Sequence, residues 1–200
     1  MLETSCPCGT ITCIANSLNK TRDNLHQFPS RSRLSVRDAR PADYKAVSDI
    51  LNENLHVNWR SSPITEDEVA NWDDPLSAEG KTEFLVATNY SKSVVGFITA
   101  RQTHPDSGFK TSQSLSIYTT KDNHEKGVGS VLLSNLVDRL QEKSVRTLVA
   151  FIDSNNSKSL LWHNNRGFAL GGHLRRVGDR NGQERDLMLM VRQIDQASGA

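Results

Sequence analysis

An α/β fold with a mixed, mostly antiparallel central sheet flanked by helices is predicted by three features of the chain. Two apolar runs, 83–88 and 94–100, are separated by the polar residues 89–93, which is the pattern of a β-hairpin. Residues 112–119 alternate, with Leu115, Ile117 and Thr119 on one side and Ser114, Ser116 and Tyr118 on the other, so they form a strand. Val128, Val131, Leu132, Leu136, Val137 and Leu140 recur at helical spacing and mark the buried face of a long helix.

The other elements follow in order. Leu34 and Val36 begin the first strand. Pro41 suits a first helical turn, and Ala46, Val47, Ile50, Leu51 and Leu55 give the stripe of the helix that follows. Thr65 and Glu68 form a capping box, opening a short helix toward Trp72 that Asp73, Asp74 and Pro75 end. After the hairpin comes a loop over 101–112, with Pro105 and Gly108, and then the alternating strand. The run "TLVAFI", 147–152, is continuously apolar and predicts a central strand buried on both faces. Capping residues at 154–157 open a short helix with Gly167 as its left-handed terminator. The runs 172–177 and 185–190 flank Asp179–Gly182, and Asn181-Gly182 is the turn signal of a closing hairpin.

Composition narrows the function. The 200 residues carry 24 lysines and arginines against 23 aspartates and glutamates, so no charge excess draws the chain to nucleic acid or an anionic membrane. No run approaches the ~20 apolar residues of a membrane span, and a cytoplasmic location is expected, with organelle targeting by the N-terminal segment left open. Cys6, Cys8 and Cys13 all lie in that segment, and their spacing, even with His26, does not match a zinc site, so no metal is expected. Residues 1–33, rich in Ser, Thr, Asn and Arg, are read as a disordered extension, 34–192 as one domain and 193–200 as a tail.

The stretch "NHEKGVGS", 123–130, stands between the alternating strand and the long helix. Glycines at a helix start let the backbone approach an anion, because free N–H groups and the helix dipole converge there. A phosphate-binding loop of the Walker type needs lysine after its last glycine, and here Lys126 precedes Gly127. The dinucleotide fingerprint fails at its third glycine, which falls on Leu132. The stretch resembles instead the R/QxxGxG/A motif of the GNAT superfamily of N-acetyltransferases, with His124, Glu125, Lys126, Gly127, Val128 and Gly129 in its six positions, and the element order is that superfamily's.

The likeness sharpens toward the phosphinothricin acetyltransferase branch. Ile152, Asp153, Asn156, Ser159, His163, Gly167, Phe168, Gly172, Leu174, Arg175, Val177, Gly178 and Asp186 match its later motifs in register. The resemblance implies a GNAT fold, acetyl-CoA as co-substrate without metal, a small-molecule amine as acceptor, and a homodimer in many members. It implies that 124–129 and Ser130 cradle the pyrophosphate. It places Ile117, Tyr118 and Thr119 against the pantetheine arm, with a backbone N–H for the oxyanion. Asn156 and Ser159 would meet the pantetheine amides, although a helix N-cap explains Asn156 equally well locally. His163 stands where a proton donor for the departing thiolate is common; a packing histidine is the other reading. Arg175 and Arg60 would pair with an acceptor carboxylate, and Trp59 and Trp72 would wall its pocket, while surface ion pairs and core packing explain Arg60 and the tryptophans as well.

Two positions depart from the branch. His124 replaces arginine beside an acidic Glu125, and Ser114 stands where a glutamate serves as general base. Ser114 with an ordered water, His104 or Asp106 are candidate replacements. The expected activity is direct acetyl transfer to an amino-acid-like amine, since 34–200 holds no cysteine for a covalent intermediate. A catalytically weakened acyl-CoA-binding regulator and a peptide or protein lysine acetyltransferase are the alternatives.

Overall fold

A computed structural model describes residues 34–72, 83–121, 126–180 and 182–194. The expected extension 1–33 with its cysteines, together with Asp73–Pro75, His124, Glu125, Asn181 and the end of the tail, lies outside them. The elements are β1 (Ser35–Asp38), α1 (Tyr44–Glu53), α2 (Glu66–Ala70), β2 (Glu83–Thr88), β3 (Val94–Gln102), β4 (Ser112–Thr119), α3 (Val128–Glu142), β5 (Thr147–Asp153), α4 (Ser157–Asn164), β6 (Ala169–Arg180) and β7 (Gln183–Gln193). They follow the expected order. The strands form one sheet, β1-β2-β3-β4-β5-β7-β6. Every neighbouring pair is antiparallel except β4 and β5.

Local chemistry starts the helices. Pro41 opens a 3-10 turn ahead of α1, and the Asp43 carboxylate accepts the Arg40 N–H at 2.8 Å and the Arg37 guanidinium. At α2 the capping box is complete: Thr65 Oγ1 accepts the Glu68 N–H, and the Glu68 carboxylate accepts the Thr65 N–H at 2.8 Å. No helix among the described residues is long and apolar enough to cross a membrane.

Each face of the sheet has its own core. Leu132, Leu136 and Leu140 of α3 pack on Leu85, Ile98, Leu115, Leu148 and Ile152, with Phe168 closing that cluster. On the other face Val47, Ile50 and Leu51 of α1 and Val69 of α2 cover Phe84, Val86 and Phe97, with Trp72 against both phenylalanine rings. Each such side chain contributes about 1.5–3 kcal/mol on burial. Along α3 the buried stripe also takes in Leu133, while Val131 is only half-buried. The stripe is wider than the sequence spacing implies because α3 touches β1 through β4 across their width.

The parallel β4–β5 ladder is short. Its last pair is Leu115↔Ala150, whereas β5 stays paired with β7 to Asp153↔Leu187. Beyond Leu115 the two strands diverge. The Thr120 N–H bonds to Val95 and the Thr103 N–H to the Ser112 carbonyl, both toward β3, while the Thr111 carbonyl receives the Arg146 and Thr147 N–H groups on the β5 side. Since backbone groups alternate along a strand in continuous register, the amides of Ile117 and Thr119 open into the gap.

The divergence corrects one expectation. Leu148, Ala150 and Ile152 are buried, but Phe151 is 42 % exposed, so β5 is not buried on both faces. The strand borders a cleft where the continuous apolar run had suggested a second layer. The final hairpin also runs past the sheet: β5 ends opposite Leu187, but β6 and β7 stay paired to Arg180↔Gln183. A bulge lies between Leu174 and Gly178, with Arg176 at φ +57. The Asp186 carboxylate holds it, accepting the Arg176 N–H at 2.9 Å and His173 Nε2 at 2.8 Å.

Leu132→Ala should destabilise the protein by about 2–5 kcal/mol through cavity formation, and Thr65→Ala by about 1 kcal/mol through loss of the cap. Urea denaturation curves distinguish the two.

Candidate functional site

The gap between β4 and β5 opens into a cleft of about 710 Å³. Ile117, Tyr118 and Thr119 line one side, and the start of α3, with Lys126, Gly127, Val128 and Gly129, lies at one end. Asn156, Ser159 and His163 of the α4 segment and Trp59 of the α1–α2 loop line it as well. Residues from four separate parts of the chain therefore meet at one place.

The glycines serve different ends. Gly127 is the N-cap of α3 at φ +96, a conformation L side chains rarely adopt, and among the described residues a Cβ there would meet nothing within 4 Å. At Gly129 a Cβ would come within 2.9 Å of Trp162 Cζ2, so this glycine lets the indole lie flat on α3. The first helical bond returns from the Val131 N–H to the Gly127 carbonyl, which leaves the Val128, Gly129 and Ser130 amides with no acceptor inside the helix. Those donors and the helix dipole, with Lys126 and Lys158 also in the lining, give the cleft groups that suit an anion. Ser130 does not line the cleft; its Oγ accepts from Arg166 Nη2 at 2.6 Å, and the Arg166 guanidinium stacks 4.0 Å over Trp162.

At the start of α4, Asn156 is the N-cap that the sequence allowed, and it also lines the cleft. Its Oδ1 accepts the Ser159 N–H at 3.1 Å as an N-cap, and its residue lines the cleft, where the Nδ2 group is left to donate. The turn carrying it is fixed by buried Asp153, whose carboxylate accepts the Asn155 N–H at 2.9 Å and pairs with Arg185 at 2.9 Å.

His163 is buried. Its Nδ1 lies 2.8 Å from the Ser159 carbonyl, which can only accept, so Nδ1 carries the proton and Nε2 the lone pair. Nε2 is buried with no partner among the described residues. Edge contacts with Trp162 at 4.8 Å and Phe168 at 5.0 Å fix the ring. Burial, above all, lowers its pKa; the Ser159 hydrogen bond opposes this in part, and the nearby Arg166 charge adds a smaller lowering. Burial also pushes the Tyr118 phenol up to about 12, so it keeps its proton.

A second cavity of about 320 Å³ shares Trp59, Leu115, Ser116, Tyr118 and Phe151 with the cleft. Ser114, Arg60, Trp72, Thr99 and Arg101 are among its other lining residues, and no aspartate or glutamate lines it among the described residues. Ser114 donates weakly to the Arg101 carbonyl at 3.4 Å. Arg60 binds Glu68 through Nη2 at 3.2 Å, leaving its Nε buried and without a partner there. Arg60, Trp59 and Ser114 are thus brought together as expected.

Three expectations fail on placement. Arg175 is exposed in the β6 bulge and lines neither cavity, because the bulge turns it away from the gap. His104 and Asp106 pair with each other at 3.4 Å in the β3–β4 loop, outside both cavities. Conversely, Arg101 and Phe151 line cavities that sequence reading did not assign to them. Arg101 arrives only because β3 pairs it with Ser114, which no local signal reveals. Asn54, whose side chain donates to the Thr119 carbonyl at 3.1 Å, was missed for the same reason.

Because folding lowers the His163 pKa from 6.5, the unfolded chain takes up this proton first as pH falls. Its contribution to stability is full above about pH 6.5 and is lost as the pH falls from there through the folded value. Denaturation midpoints should drop more steeply between pH 7 and 5.5 for the wild type than for His163→Phe.

Comparison with known proteins agrees with this geometry. Residues 36–189 match the acetyltransferase (GNAT) domain model. A methionine sulfoximine/methionine sulfone acetyltransferase of Pseudomonas aeruginosa is 30% identical over 169 residues, spanning 83% of this chain and 98% of its own. The phosphinothricin N-acetyltransferase of Streptomyces viridochromogenes is 28% identical over 171 residues, with 84% and 91% covered. The structure of a phosphinothricin acetyltransferase from Sinorhizobium meliloti in complex with acetyl-CoA superposes with a TM-score of 0.73 at 25% identity, covering 84% of this chain and 91% of that one. With its divergent fourth and fifth strands, its glycine-headed third helix and this match across most of its length, the chain belongs to the GNAT acetyltransferase family.

Proposed function

We propose that this protein transfers the acetyl group of acetyl-CoA directly to the primary amine of a small amino-acid-like acceptor, of the phosphinothricin or methionine sulfone type. The observation that carries the reading is the pair of cavities meeting at Tyr118 and Trp59: one carries helix-start amides and lysines, the other is small, lined by arginine and, among the described residues, free of carboxylates. Acetyl-CoA fits the first on chemical grounds, since the open backbone at Gly127 suits phosphate and the free strand edge at Ile117 suits an amide-bearing arm.

Bound acetyl-CoA supplies a thioester carbonyl. The α3 amides, with Lys126 and Lys158, hold its phosphates, and Asn156 donates to the arm. The Ile117 N–H, unpaired at the splay, is the donor for the oxygen that gains charge as the amine adds. Arg60 holds an acceptor carboxylate.

The attacking amine must be neutral, and Ser114 offers no base. Two imidazoles line the cleft, exposed His56 and buried His163, and we assign the role of first proton acceptor to His163, whose Nε2 is held in place with no partner among the described residues. The expectation that it begins as a donor does not suit a neutral ring whose only N–H is committed to Ser159. Once protonated, Nε2–H can return its proton to the sulfur, and the Tyr118 hydroxyl is a further donor there. A cytoplasmic location and a homodimer belong to the same reading; exposed Leu170, Leu174 and Val177 on the edge strand β6 supply apolar surface for pairing.

A second reading, an acyl-CoA binder without turnover, is favoured by Ser114 and the acid-free second cavity. Free-thiol release from acetyl-CoA against a panel of amino acids, methionine sulfone and phosphinothricin decides between them. The acetyltransferase should show acceptor-dependent release that rises through pH 8 and above, as the acceptor ammonium loses its proton. His163→Ala should cut kcat by about 10²-fold, and Ser114→Glu should raise turnover at pH 7. Calorimetric binding of acetyl-CoA with silence across the panel would establish the binder.

A further inference from the structure

We infer that the contact between Gly178 of the overhanging hairpin and Trp59 of the α1–α2 loop sets the size of acceptor the second cavity admits. The inference rests on the acetyltransferase reading and assigns specificity to a part of the chain outside both cavities.

Trp59 lines the cleft and the second cavity alike, so its ring is a wall common to both. It is held at two points. Its indole Nε1–H donates to the Phe151 carbonyl at 3.3 Å, across the mouth of the splay. Its six-membered ring lies on the bare backbone of Gly178: a Cβ there would stand 2.3 Å from Trp59 Cζ3 and 3.0 Å from Cε3. No conformational reason demands glycine at this position, because Gly178 is not among the positive-φ residues. The indole alone makes a side chain costly. Two residues further on, Arg180 Nη1 donates to the His56 carbonyl, so the same hairpin also grips the loop segment from which Trp59 projects.

The direction of any displacement follows. Trp59 is 37 % exposed, but its Nε1–H is tethered to the Phe151 carbonyl, and Phe151 lines both cavities, so a ring pushed off residue 178 pivots on that bond into the space it walls. The second cavity is less than half the volume of the cleft, so the same intrusion removes a larger share of it. A bulkier residue at 178 therefore tightens the acceptor site more than the acetyl-CoA site, and a smaller residue at 59 enlarges it.

The test is steady-state acetylation of methionine sulfone and of phenylalanine by the purified full chain, with acetyl-CoA affinity measured by calorimetry. Gly178→Ala should raise KM for methionine sulfone about tenfold or more, the scale of one misplaced methylene in a pocket, while the acetyl-CoA Kd changes much less. Trp59→Ala should improve kcat/KM for phenylalanine relative to methionine sulfone, and Trp59→Ala/Gly178→Ala should match Trp59→Ala alone. An unchanged KM in Gly178→Ala, or a double variant that carries the full Gly178→Ala defect on top of Trp59→Ala, would overturn the inference while leaving the acetyltransferase intact. A wild type that acetylates no amine would overturn the acetyltransferase reading and this inference with it.

Discussion

The divergence of β4 from β5 is the constraint on which the rest of the molecule depends. The two strands share a ladder only from Ser112↔Thr147 to Leu115↔Ala150. Beyond it, unpaired backbone groups would be costly in a dry interior, so the sheet stays open there and α3 and α4 begin at the edges of the opening. The β5–β7 ladder and the buried Asp153–Arg185 pair keep β5 rigid while β4 leans away on β3. A single feature of pairing thus produces the cleft, its free amide at Ile117 and the meeting of two helix starts.

Electrostatics in the two cavities are unequal. The cleft has helix-start amides, lysines and a desolvated imidazole in its lining; the second cavity has arginines and, among the described residues, no carboxylate. Burial keeps the His163 ring neutral, and its neutrality is what leaves a lone pair for chemistry. The same burial keeps the Tyr118 phenol protonated. One physical cause therefore prepares an acceptor and a donor within the same cleft.

Three glycines show how one residue type serves three purposes. Gly127 supplies a left-handed turn, Gly129 makes room for Trp162, and Gly178 makes room for Trp59. Only the first is needed for its backbone angle. The other two are needed because a flat aromatic ring from a distant part of the chain lies against them, and their effect is to set the walls of the two cavities.

Much was legible in the chain alone. The β4 strand, the capping box of α2 and the order of elements stand as read, and the stripe of α3 differs only in taking in Leu133 while leaving Val131 half-buried, since all of these arise largely from contacts within a few residues. The glycine loop and the α4 motif likewise located the cleft, since each residue sits beside the others that define its role. What tertiary structure decided lies in pairings between remote segments: that Phe151 faces a cleft, that Arg101 stands beside Ser114, that Arg175 turns away in a bulge, and that Gly178 seats Trp59. Periodicity fixes which side of an element a residue occupies, but what that side meets depends on strand register and on how far each ladder runs before it ends.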